Sequence, residues 1–201
     1  MKKQVVFIHG GSAYSKYEDY LEHLRTTEIK LHQERSKLWS DSLAEVLGDQ
    51  YEVIAPSMPC KGNAKYEEWK IWFERHFEFL HDEVILIGWS QGGYFLAKYL
   101  TENDLPFKVQ QLCLLAAPFG PVDFAGEDGG DFSFDTQKLP EIFNRVSKIA
   151  LFHSQDDFVV PYQHALEYQE ALPGAELVAF ADRNHFLQEE FPELIAYIKD
   201  L

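Results

Sequence analysis

Six short runs of mostly apolar residues punctuate the chain: Val5-Val6-Phe7-Ile8, Tyr51-Glu52-Val53-Ile54, Val84-Ile85-Leu86-Ile87, Leu112-Cys113-Leu114-Leu115, Ile149-Ala150-Leu151-Phe152 and Leu177-Val178-Ala179-Phe180. Unbroken apolar stretches of this length suit strands buried on both faces, as in a parallel sheet. Between them the spacing is helical. Leu38, Trp39, Ser42, Leu43, Val46 and Leu47 form a stripe that stops at Gly48, a residue type that closes helices. Tyr66, Trp69, Trp72, Phe73, Phe77 and Leu80 form a strongly aromatic second stripe. Further helices are predicted near 91–103 and 162–172. Phe191, Leu194, Ile195 and Ile198 mark a last one, with Pro192 in its first turn.

Strand–helix alternation predicts an α/β fold, a single domain over 1–201. Its core is a mainly parallel sheet of about six strands with right-handed crossovers and helices on both faces. Chemistry in such sheets collects in the loops beyond the carboxyl ends of the strands. Two segments interrupt the rhythm. Residues 12–36 insert a polar stretch, predicted helical from Tyr17 to Leu24. Residues 120–146 contain Gly126-Glu127-Asp128-Gly129-Gly130-Asp131, which is expected to be irregular.

Composition narrows the picture. Lys and Arg total 18 against 33 Asp and Glu, a formal net charge of −15. That surplus repels polyanions, so no nucleic-acid or anionic-membrane partner is expected. The apolar run after Met1-Lys2-Lys3 is too short for a secretory signal, and no stretch approaches a membrane span. The chain therefore reads as cytoplasmic. Cys113 sits in an apolar run and Cys60 follows Pro59; nothing requires them to pair. With no Cys-x-x-Cys, no His-Glu-x-x-His and no phosphate-loop pattern, neither a metal nor a cofactor is expected.

The chemistry is carried by Gly88-Trp89-Ser90-Gln91-Gly92, which joins a predicted strand to a predicted helix. A serine on such a turn projects its hydroxyl from a strained backbone, and close approach of the flanks demands glycine on either side. The helix starting near Gln91 points its positive end at Ser90 and favours negative charge developing there.

On these residues the chain resembles the α/β-hydrolase superfamily along nearly its whole length, and in size and loop lengths its small members with little or no cap. The resemblance implies a triad in the order Ser, acid, His. The acid is expected after Ile149–Phe152, where Asp157-Phe158-Val159-Val160-Pro161 resembles the family's acid loop; the adjacent Asp156 competes with Asp157 for the part. The base is expected after the last strand, where His185 stands. His9-Gly10 resembles the oxyanion loop, which implies the N–H groups of Gly11 and Gln91 as donors. Trp89, Phe119 and Phe186 are candidates for the substrate wall.

These expectations amount to a serine hydrolase acting on an ester or acyl small molecule through an acyl-enzyme. Thioesterase, amidase or peptidase, acyltransferase and protein-binding-module readings remain open. A histidine base must be neutral, so activity is expected to fall below pH about 6.5, the ordinary histidine value.

Overall fold

The computed structural model describes residues 2–29, 31, 36–122 and 128–200. Its six strands are β1 (Lys3–Ile8), β2 (Tyr51–Ile54), β3 (Glu83–Trp89), β4 (Lys108–Leu115), β5 (Val146–Ser154) and β6 (Glu176–Phe180). They form one sheet of order β2-β1-β3-β4-β5-β6 in which every pairing is parallel. Every predicted strand is present, most of them longer than the apolar run that marked them.

The sheet is buried on both sides, as continuous apolar strands require. Successive residues point to opposite faces: Val6, Ile8, Val84 and Leu86 pack into one core, and Val5, Phe7, Ile85 and Ile87 into the other. The first core is covered by α3 (Tyr66–Glu74), α4 (Gln91–Glu102) and α5 (Gln163–Ala171), through residues such as Trp69, Phe73, Phe95, Leu96 and Tyr168. The second is covered by α2 (Leu43–Leu47) and α6 (Pro192–Lys199), through Leu43, Leu47, Leu194 and Ile198. A register shift between Val84 and Ile85 sets Ile85 opposite Gln111, so β4 switches faces part-way along.

Two predicted stripes are broken helices. The 38–47 stripe is a 3₁₀ turn, Trp39–Ser42, followed by α2, and the 66–80 stripe is α3 followed by a 3₁₀ turn at Phe77–Phe79. The aromatic stripe still acts as one surface: Phe73 and Phe77 meet edge-to-face at 5.0 Å. The polar insertion carries α1 (Tyr17–Thr26), none of whose residues is buried.

Of the Gly/Asp-rich segment, residues 126 and 127 lie outside the described residues, and Gly130–Phe132 form a single 3₁₀ turn. The expectation of wholly irregular structure is thus corrected for that turn. Its aspartates tie distant loops together: Asp128 accepts the Ser15 N–H, and Asp131 accepts the Tyr66 N–H at the start of α3. No helix among the described residues is long and apolar enough to cross a membrane.

Candidate active site

The strand order reverses between β1 and β3, and the candidate residues gather beyond the carboxyl ends of the strands around that point. β3 ends at Trp89 and α4 starts at Gln91, leaving Ser90 to make the whole turn with φ 54° and ψ −121°. The close approach is real. A Cβ on Gly88 would lie 2.6 Å from the Gly92 carbonyl oxygen, and one on Gly92 would lie 2.1 Å from that of Ile8. The turn is held from both sides: the Ser90 N–H donates to the Leu115 carbonyl, and the Ser90 carbonyl accepts from the N–H groups of Gly93 and Tyr94.

The loop after β1 abuts the serine. A Cβ on Gly10 would stand 3.3 Å from the Ser90 Cβ. The His9 ring orients this loop. Its Nδ1–H donates to the Gly10 carbonyl at 2.6 Å, and its Nε2 accepts the Met58 N–H at 2.9 Å. Both partners are satisfied only by the neutral, Nδ1-protonated ring, and burial holds the His9 pKa below its ordinary value. In a trans peptide the N–H points opposite to the C=O, so tying down the Gly10 carbonyl fixes where the Gly11 N–H points. The N–H groups of Gly11 and of Gln91, the first residue of α4, have no hydrogen-bond partner among the described residues.

Asp157 follows β5 and its side chain is fully buried. Oδ1 accepts the N–H groups of Val159 and Val160 at 2.8 and 2.9 Å, and Oδ2 accepts Nδ1–H of His185 at 2.8 Å. Beside it, the buried His153 donates from Nε2 to the Val160 carbonyl and lies 3.5 Å from Oδ2 of Asp157. Burial keeps His153 below its ordinary pKa, so it stands as a neutral brace on the acid loop.

His185 is 6% exposed, in a loop where its neighbours Asn184 and Phe186 both adopt positive φ (49° and 55°). Two indoles hold this loop: Trp89 Nε1–H donates to the His185 carbonyl, and Trp39 Nε1–H to that of Phe186, each at 3.0 Å. No hydrogen bond joins the Ser90 hydroxyl to His185; such contacts commonly tighten only as substrate seats.

Ser90, His185, Gly10, Gly11, Trp89 and Val159 share the wall of one cavity of about 620 Å³, to which Lys61 and Asp41 also contribute. That volume suits a small molecule. Trp89 thus both faces the cavity and braces the histidine. The other two candidates for the substrate wall lie elsewhere. Phe186 is fully buried and stacked on Phe191, because its positive φ turns the ring under the loop; Phe119 packs edge-to-face on Tyr168. Sequence reasoning missed the part played by Trp39, which looks like an ordinary member of its helical stripe until the loop it holds is in view. Cys60 and Cys113 are both free, and no cluster among the described residues is placed to hold a metal ion.

No family model matches the chain. It is similar to the serine hydrolase RBBP9 of Rattus norvegicus, 26% identical over 151 residues that cover 75% of this chain and 78% of that one. Among solved structures it resembles the ydeN gene product of B. subtilis, with a TM-score of 0.76 and 21% identity over 99% of this chain and 98% of that one. It also resembles the carboxylesterase CesB of Bacillus subtilis, with a TM-score of 0.60 and 16% identity over 98% and 82% of the two chains. The likeness runs along almost the entire chain, and with its six-stranded parallel sheet covered on both faces this chain has the α/β-hydrolase fold.

Proposed function

We propose that the protein is a serine hydrolase that cleaves ester-type bonds of small acyl substrates through an acyl-enzyme. The observation that carries this reading is the convergence on one cavity of Ser90, on its strained turn, and His185, already bonded to the buried Asp157 at 2.8 Å. The likeness to a rat serine hydrolase and to the carboxylesterase structure supports it.

With Nδ1–H committed to Asp157, the neutral His185 presents Nε2 as the base. Nε2 takes the Ser90 proton as Oγ attacks the carbonyl carbon, and Asp157 stabilises the resulting imidazolium. Negative charge moves to the substrate oxygen, where the N–H groups of Gly11 and Gln91 and the N-terminal end of α4 receive it. The imidazolium protonates the departing alkoxide. Water, deprotonated by the same Nε2, then releases the acid and restores Ser90.

A panel of p-nitrophenyl esters of graded chain length, with thioester and aminoacyl substrates alongside, tests the reading together with a fluorophosphonate probe. Ester turnover and labelling are expected in the wild type, and both should vanish in Ser90→Ala, with turnover lowered roughly 10⁴-fold or more. Folded wild-type protein that neither labels nor turns over any of the panel would overturn the proposal.

A further inference from the structure

Asp156 and Asp157 stand side by side, yet the structure gives them different partners. Asp157 is buried and bonds the imidazole. Asp156 is exposed, and its Oδ1 accepts the backbone N–H of Asn184 at 2.9 Å and the hydroxyl of Ser154 at 2.5 Å. The Ser154 oxygen in turn accepts the Arg183 N–H at 2.9 Å. Ser154 ends β5, whereas Arg183 and Asn184 lie in the loop after β6 and lead directly into His185. The Gln155 N–H adds a third tie, to the Phe180 carbonyl at the end of β6.

These bonds fall where the backbone needs them. Asn184 has φ 49°, a conformation that asparagine tolerates better than most residues but that still costs free energy, and one that persists only when its surroundings over-determine it. The Trp89 and Trp39 indoles hold the carbonyls of His185 and Phe186 on the far side of the histidine. Among the described residues, nothing but the Asp156–Ser154 pair holds the N–H groups of Arg183 and Asn184 on the near side. The Ser154 hydroxyl first, and then the Asn184 N–H, keep the Asp156 carboxyl below its ordinary pKa, so the acceptor stays ionised.

We propose that Asp156 is a positioning residue for the base: with Ser154 it clamps the peptide entering His185, so that one acidic pair fixes both the imidazole and the backbone that carries it. This inference rests on the serine-hydrolase reading, because without a catalytic His185 the clamp has nothing to position.

The test compares Asp156→Ala, Asp156→Asn and Ser90→Ala by ester kinetics, fluorophosphonate labelling rate and thermal unfolding. In Asp156→Ala the Asn184 N–H loses its acceptor. We expect kcat and labelling rate to fall together by about 10- to 100-fold, with KM held within about threefold. Asp156→Asn keeps an oxygen acceptor without the charge and should recover to within about threefold of wild type, which a charge effect would not allow. The proposal is overturned if Asp156→Ala turns over like wild type, or if Asn is as impaired as Ala. Should Asp156→Ala fail to fold, Ser154→Ala decides instead, with a fall of about three- to tenfold expected and wild-type turnover overturning the clamp. An inert Ser90→Ala beside a fully active Asp156→Ala sinks the clamp alone; an active Ser90→Ala sinks the hydrolase reading and the clamp with it.

Discussion

The indole N–H of Trp89 donates to the carbonyl oxygen of His185 at 3.0 Å, with the two rings 5.7 Å apart. The residue before the candidate nucleophile therefore holds the backbone of the candidate base. Ser90 and His185 lie 95 positions apart in sequence, and this bond ties the two loops. Trp89→Phe keeps most of the ring and removes the donor. It should cost about 0.5–1.5 kcal/mol in denaturant unfolding and lower ester turnover several-fold. Unchanged turnover with that stability loss would show that the carbonyl need not be held.

Asp157 serves two masters, and Asp157→Asn separates them. An amide oxygen in the place of Oδ1 still accepts from Val159 and Val160, so the acid loop should stay folded. The nitrogen in the place of Oδ2 can no longer accept from His185, so the imidazole loses its tautomer and its counter-charge. Turnover should fall about 10⁴-fold while the protein keeps its circular dichroism spectrum. Loss of fold instead would make the aspartate chiefly structural.

At Gly92 a single methyl group is expected to break the site, because it would stand 2.1 Å from the Ile8 carbonyl oxygen, two residues after Ser90. Gly92→Ala should destabilise by about 1–3 kcal/mol or more and abolish fluorophosphonate labelling. Gly62→Ala is the control, since a Cβ there has nothing within 4 Å. Equal unfolding midpoints for the two variants would contradict the packing described at the turn.

Acid should destabilise the fold in two stages. His9 and His153 are held neutral by burial, below the ordinary histidine value of about 6.5. As pH falls below that value the unfolded chain takes up protons that the folded chain refuses, so stability declines through this window. Asp156 acts in the same direction at lower pH. Its carboxyl is held below the ordinary value by the Ser154 hydroxyl, and its contribution persists until pH drops beneath about 3.9. Thermal midpoints should hold from pH 8 to 7, begin to fall near pH 6.5 and fall again below 4. A midpoint flat from pH 8 to pH 5 would refute the burial of the two histidines.

The strands and the serine turn were legible because their causes are local. A strand buried on both faces must be apolar throughout, and a serine on a sharp strand-to-helix turn needs glycine on both flanks. The resemblance singled out Asp157 for the acid, but what its neighbour Asp156 does instead was not legible. It depends on which way two consecutive side chains leave a loop, and no period constrains that. Phe186 shows the same limit: sitting beside His185 made it a candidate for the wall, but a backbone angle of +55° sends its ring into the core. The part of Trp39 escaped notice because its partner is a carbonyl group, which leaves no trace in a pattern of side chains.

Ser90 is a non-glycine residue at φ 54°, a geometry that costs of order 1–3 kcal/mol. Evolution could remove that tension by one substitution, to glycine, and it would remove the hydroxyl in the same stroke. The protein is thus held short of a more stable sequence at the position proposed as its nucleophile. Ser90→Gly should melt higher than Ser90→Ala, and the difference between the two measures what the Ser90 backbone posture costs the fold.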